Sequence, residues 1–199
     1  MVPGIKWVLL PYPPVQLGGK NMSVHVSAAG VGPSTMRTLA IPQHQGLLEA
    51  LGRLAIAHTH LELILRYCVK TIAEQSIQEA LDATEGDRIS DLRIKIKALF
   101  KDRKPTASEK NSLDGLLGYA KRLSGRRHSY LYRAWSETDA RQAVVKGEDH
   151  QWEPAPSVSE VEEIASEILT LGEKINRERL HGFIRDVMQR QPPNTQTDS

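Results

Sequence analysis

From His44 to about Glu74, apolar side chains recur at alternating steps of four and three, through Leu47, Leu51, Leu54, His58, Leu61, Leu65, Cys68 and Ile72. That spacing returns to one face only in an α-helix, so the segment reads as one long core helix. The stripe is narrow and heptad-like, which suits packing against antiparallel neighbours or a partner subunit at the shallow crossing angles of helical bundles. His58 falls within it, and the expected state there is a buried neutral imidazole with one partner. Cys68 is the single cysteine of the chain. It can form no internal disulfide and reads as a small buried hydrophobe.

The rest of the chain supplies helices to cover that stripe. Short helices are expected over 76–84 and 90–101, with Ser90 capping the second and Leu92, Ile96 and Phe100 forming its apolar face. Gly86 and Pro105 punctuate them. Thr106 and Glu109 open another helix, whose Leu113, Leu116, Leu117, Ala120 and Leu123 form a stripe expected to run to about Trp135. Ala143, Val144 and Val145, a Lys-Gly-Glu-Asp turn and Trp152 read as a small β-hairpin. Ser157 or Ser159 then caps a closing helix carrying Val161, Ile164, Ile168, Leu171 and Ile175, ending near Gln189. The fold class is therefore all-α, an up-and-down bundle of four to five helices with a small β-hairpin insertion before the last one.

Residues 1–42 are rich in Pro and Gly and hold no sustained period, so they read as a flexible arm ahead of a helical domain at 43–190, with a disordered tail at 191–199. Met22 and Met36 leave open a start within the arm, which the N-terminal mass of natively expressed protein decides. Nowhere do roughly 20 apolar residues run together as a bilayer span requires. Trp7–Leu10 is too short for a signal-peptide core. The expectation is a cytoplasmic protein without a membrane segment.

Net charge is only +2, but its distribution is uneven. From Arg93 to Arg133 there are twelve Lys or Arg against three acids, Asp102, Glu109 and Asp114. Further on, six glutamates, from Glu153 to Glu173, follow one another with no Lys or Arg among them before Lys174. Within the basic segment, Lys121-Arg-Leu-Ser-Gly-Arg-Arg-His-Ser-Tyr-Leu-Tyr-Arg-Ala-Trp135 gathers most of the chemistry. Helical spacing puts Arg127 in line with Leu123 and Leu131, on the apolar stripe, where a guanidinium must be paired or face another subunit. Glu62 on the first helix is the expected partner. His128 and Tyr132 share one face; Arg122, Arg126 and Tyr130 share another.

These residues resemble a family: Arg127-His128-Ser-Tyr-Leu-Tyr132-Arg-Ala-Trp135 is similar to the Arg-Asn-x-x-x-His-Gly-x-Trp signature of HEPN-like helical domains. The resemblance covers roughly residues 44–190 and includes the long first helix with an internal acid, the motif late in a later helix, the hairpin-like insertion and the closing helix. It implies a bundle that forms a homodimer through the motif-bearing helices, with two copies of the Arg and His around one groove. It also implies a metal-independent endoribonuclease of a defence or toxin type. Arg127 then neutralises charge on a phosphate while a His takes the proton of a ribose 2′-OH. Two positions depart from the signature. His128 stands where the family has Asn, and Tyr132 where it has His; a phenol, ionising near pH ~10, is a poor base at neutral pH. In a second register Arg122 and His128 supply the Arg-to-His spacing, with His128 as base.

The candidate catalytic residues are thus Arg127, His128, Tyr132 and Arg122, the candidate RNA contacts Arg126, Arg133 and Tyr130, and the structural support Glu62. No phosphate-binding Gly-rich loop, zinc-spaced Cys or His pair, or Gly-x-Ser-x-Gly turn occurs, so no cofactor and no metal are expected. Three readings remain open. One is an RNA-cleaving dimer; another is a catalytically silent member of the same fold that binds nucleic acid or a protein partner. The third is a structural assembly protein, whose heptad stripe and acidic closing helix meet a basic surface on another subunit. On a bland reading of the cluster itself, Arg122, Arg126 and Arg133 are a solvated face, Arg127 pairs with Glu62, and Tyr130, Tyr132 and Trp135 pack.

Overall fold

The stripe at 44–74 forms a single helix. The computed structural model describes residues 41–138 and 142–190, and in it α1 spans Gln45–Ala73. The His44 side chain caps its start by accepting the Leu47 amide at 3.2 Å. Its end turns on Glu74, at a φ of 56°, with the Gln75 amide returning to the Lys70 carbonyl. Leu47, Leu54, His58, Leu61, Leu65, Cys68 and Ile72 are all buried, whereas Leu51 is partly so. Ala50, Ala57 and Val69 are buried beside them, so the covered face is wider than the large side chains alone indicate.

Three capping boxes fix where later helices begin. Ser76 and Glu79 start α2, Ile77–Ala83. Thr106 and Glu109 start α4, Ala107–Leu131, and Ser157 and Glu160 start α5, Val158–His181. Each hydroxyl accepts an amide of the first turn and each carboxylate returns to the capping amide, satisfying two donors that the helix itself cannot. In α3, Ile89–Asp102, Ser90 is not the cap. The Asp91 carboxylate accepts the Arg88 amide at 3.1 Å. The helix therefore starts one residue earlier, which brings Ile89 into the core at 2% exposure.

The structure is an all-α bundle with a β insertion. The α4 helix ends at Leu131, short of the expected Trp135. Trp135 folds back instead, its indole Nε1–H donating to the Tyr130 carbonyl at 3.0 Å, which satisfies one of the acceptors left at the helix end. It also opens a strand. The insertion is a three-stranded antiparallel sheet in the order β1 (Trp135–Glu137), β2 (Ala143–Lys146), β3 (Trp152–Pro154), with Ser136 opposite Val144 and Val145 opposite Glu153. The expected hairpin is its β2–β3 half.

The closing helix is likewise broken, at Gly182, and α6 (Phe183–Arg190) packs back on the bundle. A Cβ on Gly182 would stand 2.9 Å from the Glu178 Cα, so no larger residue fits this bend. Phe183 meets Phe100 edge to face at 6.1 Å. Arg190 reaches the Glu109 carboxylate at 2.6 Å. Held by that guanidinium first and by the Thr106 amide next, the Glu109 carboxyl has its pKa lowered to about 2.

One core joins α1, α3, α4, α5 and α6, with α1 lying most extensively against α5. No helix among the described residues is long and apolar enough to cross a membrane. The arm expected over 1–42 lies outside the described residues except for its last two positions, and the tail at 191–199 lies wholly outside them. Leu54 is fully buried at the centre of the α1 stripe. Leu54→Ala should destabilise the protein by about 3 kcal/mol in chemical denaturation, the usual cost of a large-to-small change that leaves a cavity. A loss below ~1 kcal/mol would show that the stripe is not tightly covered.

Candidate functional site

The second half of α4 divides its basic residues between two sides. On the side facing α5, the Arg126 guanidinium donates to both oxygens of Glu167 at 3.1 Å, and the Tyr119 hydroxyl donates to the same carboxylate at 2.7 Å. Arg122 lies 5.0 Å from the centre of the Tyr119 ring. It lines a groove of about 810 Å³ between α4, α5 and α6. Arg133, just past the helix, lies 3.4 Å from Glu153 and 3.7 Å from Glu148. Tyr130 is half-buried against the core.

The other side carries Arg127, His128 and Tyr132. The imidazole of His128 stacks on the Tyr132 ring, centroids 4.7 Å apart and planes 27° from parallel, as their i, i+4 spacing allows. The Arg127 guanidinium carbon lies 4.9 Å from the centre of that ring, within cation–π range. Tyr132 is 64% exposed. His128 is exposed as well, while Arg127 is half-buried. The Arg127 Nε is buried and has no hydrogen-bond partner.

The expected ion pair between Arg127 and Glu62 is not formed, since no carboxylate among the described residues lies within 4 Å of Arg127. Glu62 turns to its own helix, 3.6 Å from the His58 Nδ1, and Arg127 turns to the aromatic ring. The groups still feel one another. Burial raises the Glu62 pKa and the Arg127 charge draws it back. Burial first, and the Arg127 charge second, lower the His58 pKa to about 4. His58 is the buried neutral imidazole expected, and its partner is the Ser124 hydroxyl, 3.2 Å from Nε2. That contact joins α1 to α4 directly beneath the Arg127 turn.

Of the residues named from sequence, Arg127, His128 and Tyr132 are therefore together. Arg122 is not with them: six residues of helix separate it from His128 by about 240° of rotation, and it faces Tyr119 instead. The second register accordingly finds no shared site here. Sequence reading missed Ser124 and the Tyr119–Glu167 pair. Ser124 had a signal, lying one turn from both Arg127 and His128, but nothing local tied it to a histidine 66 positions earlier. Among the described residues, no group of three His, Cys, Asp or Glu side chains gathers as a metal site.

Comparison of the chain with protein-family models, with curated proteins and with solved structures finds no match.

His58 gives that environment a measurable signature. An unfolded chain takes up the imidazole proton near pH 6.5, whereas the folded one holds it off until about 4. Stability from this group is fully present above pH 6.5 and is lost as pH falls towards 4, by about 3 kcal/mol in all, of which about 2 kcal/mol appears between pH 7.5 and pH 5. Glu62 works in the opposite sense, because its raised pKa weakens the fold as pH rises through it. Urea melts of the wild type and His58→Gln at pH 7.5 and 5 isolate the histidine. The wild type should lose about 2 kcal/mol more than the variant over that interval, and equal losses would mean that His58 is not held neutral.

Proposed function

We propose that the chain acts on RNA as a dimeric, HEPN-like endoribonuclease that needs no metal, with Arg127 at the phosphate and His128 as the base. One observation carries the reading: among the described residues Arg127 has no carboxylate within 4 Å, and it lies on the same exposed aromatic ring as an exposed imidazole. An arginine free of acids retains its attraction for a phosphodiester. In transesterification the imidazole removes the 2′-OH proton as the 2′ oxygen bonds to phosphorus and the P–O5′ bond breaks, the leaving 5′ oxygen taking a proton from water, while the guanidinium meets the charge growing on the phosphate oxygens.

The remaining basic residues contribute unequally. Arg126 and Arg133 already hold carboxylates, so an RNA phosphate competes with Glu167 and Glu153 for them. Arg122 belongs to the α5 side, as a contact for RNA beyond the cleaved bond. Dimerisation through the α4 helices, which the HEPN resemblance implies, would bring two Arg127–His128 pairs to one groove. A defence or toxin role comes from that resemblance alone.

A second reading is favoured by Tyr132 occupying the position of the family imidazole. On it the protein is a catalytically silent module that binds nucleic acid or a partner protein.

Incubating the wild type with mixed-sequence RNA in EDTA, beside Arg127→Ala and His128→Ala, separates the two. The nuclease reading expects cleavage by the wild type that falls at least ~100-fold in each variant, the usual weight of a general base or a charge stabiliser. Rigorously pure wild type that binds RNA through Arg127 without cutting it would transfer the conclusion to the silent module.

A further inference from the structure

At the other end of α4, where it meets α3, lies a cavity of about 380 Å³ ringed by Lys97, Lys101, Lys104 and Lys110. One carboxylate, Asp114, borders it, and the Lys97 ammonium already holds it at 2.7 Å. Lys101, Lys104 and Lys110 have no carboxylate within 4 Å among the described residues, so three lysines without an ion pair border the concavity. Arg103, in the same stretch of chain, points elsewhere, to Glu74 and the Ile72 carbonyl. The lining beneath the lysines is apolar, from Phe100, Leu113 and Pro105. Lys104 has a φ of 49° just past the end of α3, a position that ordinarily favours Gly or Asn.

An apolar floor bordered by three lysines without an ion pair fits a ligand with phosphate oxygens on a flat or apolar body. We propose that this corner binds the phosphate of a nucleotide unit, and that in RNA it anchors a strand lying along α4 towards Arg127. The second half of that statement rests on the RNA reading above.

The surface between the two ends is compatible with such a strand. Lys110, Asp114, Gly118, Lys121, Gly125, His128 and Tyr132 follow one another at steps of four and three, so they share one face of α4. Lys121 is exposed, and no heavy atom outside the local backbone lies within 4 Å of where a Cβ on Gly118 or Gly125 would stand. A polyanion can therefore approach the helix closely. Its path from Lys110 to Arg127 covers about 26 Å of helix axis. The one acid on this face is Asp114, which Lys97 neutralises.

The test compares the full chain with a Lys101→Gln/Lys104→Asn/Lys110→Gln variant and with Arg127→Ala, circular dichroism having verified that each is folded. The probes are a fluorescein-labelled twelve-nucleotide single-stranded RNA with 2′-O-methyl riboses, which lacks the 2′-OH that cleavage needs, and ATP. The triple variant should bind both at least tenfold more weakly than wild type, and the salt dependence of RNA binding should fall by about 2 in log–log slope, as loss of three contacts to a single strand requires. Wild type that binds ATP but no RNA, with ATP binding lost in the triple variant, would retain the nucleotide site and overturn the RNA reading. If RNA binding depends on Arg127 while the triple variant binds both probes as wild type does, the corner site is overturned and the RNA reading stands. Wild type that binds neither probe overturns the corner site outright.

Discussion

Burial of one stripe on α1 is the constraint on which the other helices depend. A helix offers a single apolar face, yet α1 touches α2, α3, α4 and α5. It does so through length: 29 residues give about 43 Å of axis along which neighbours can share the face. Alanines at 50 and 57 set back the edge of that face beside the leucines. The one polar side chain admitted, His58, is tolerated because Ser124 meets its Nε2 and because it stays neutral. Packing and electrostatics thus converge at the turn of α4 that carries Arg127.

The excess of positive charge read from sequence is rearranged by folding. Arg103 finds Glu74, Lys95 finds Asp87, Lys97 finds Asp114, Arg126 finds Glu167 and Arg133 finds Glu153. Most of these pairs are at least partly exposed and contribute little to stability individually. Their larger effect is on the field, because they quench both ends of the basic segment and leave charge between them. Positive groups without a carboxylate within 4 Å among the described residues include Lys101, Lys104 and Lys110 near one end of α4 and Arg127 near the other.

What could be read in advance followed from local physics. The α1 and α5 stripes and the start of α4 at Thr106 and Glu109 depend on side chains within one or two turns and were legible, while the cap of α5 was legible only as a choice between Ser157 and Ser159. The end of α4 was not, because it depends on the Trp135 indole turning back to a carbonyl in preference to continuing the helix. The break at Gly182 was hidden in an apolar pattern that continues through Ile184 and Val187. At the candidate site, the cluster of Arg127, His128 and Tyr132 was legible as helical neighbours. The fate of Glu62 was not: two partners were within reach, and the intrahelical one at 3.6 Å prevailed over a guanidinium drawn to an aromatic ring.

Glu109 sits at a junction that links distant parts of the chain. Its carboxylate closes the first turn of α4 with one oxygen and holds Arg190, the last residue of α6, with the other, while Phe183 at the start of α6 rests on Phe100 near the end of α3. Opening α6 therefore withdraws both a ring contact and a counter-charge from the α3–α4 corner, so segments some 80 residues apart in sequence are tied together there. The lysine-lined cavity stands at that corner, braced by a helix that contributes no residue to its lining.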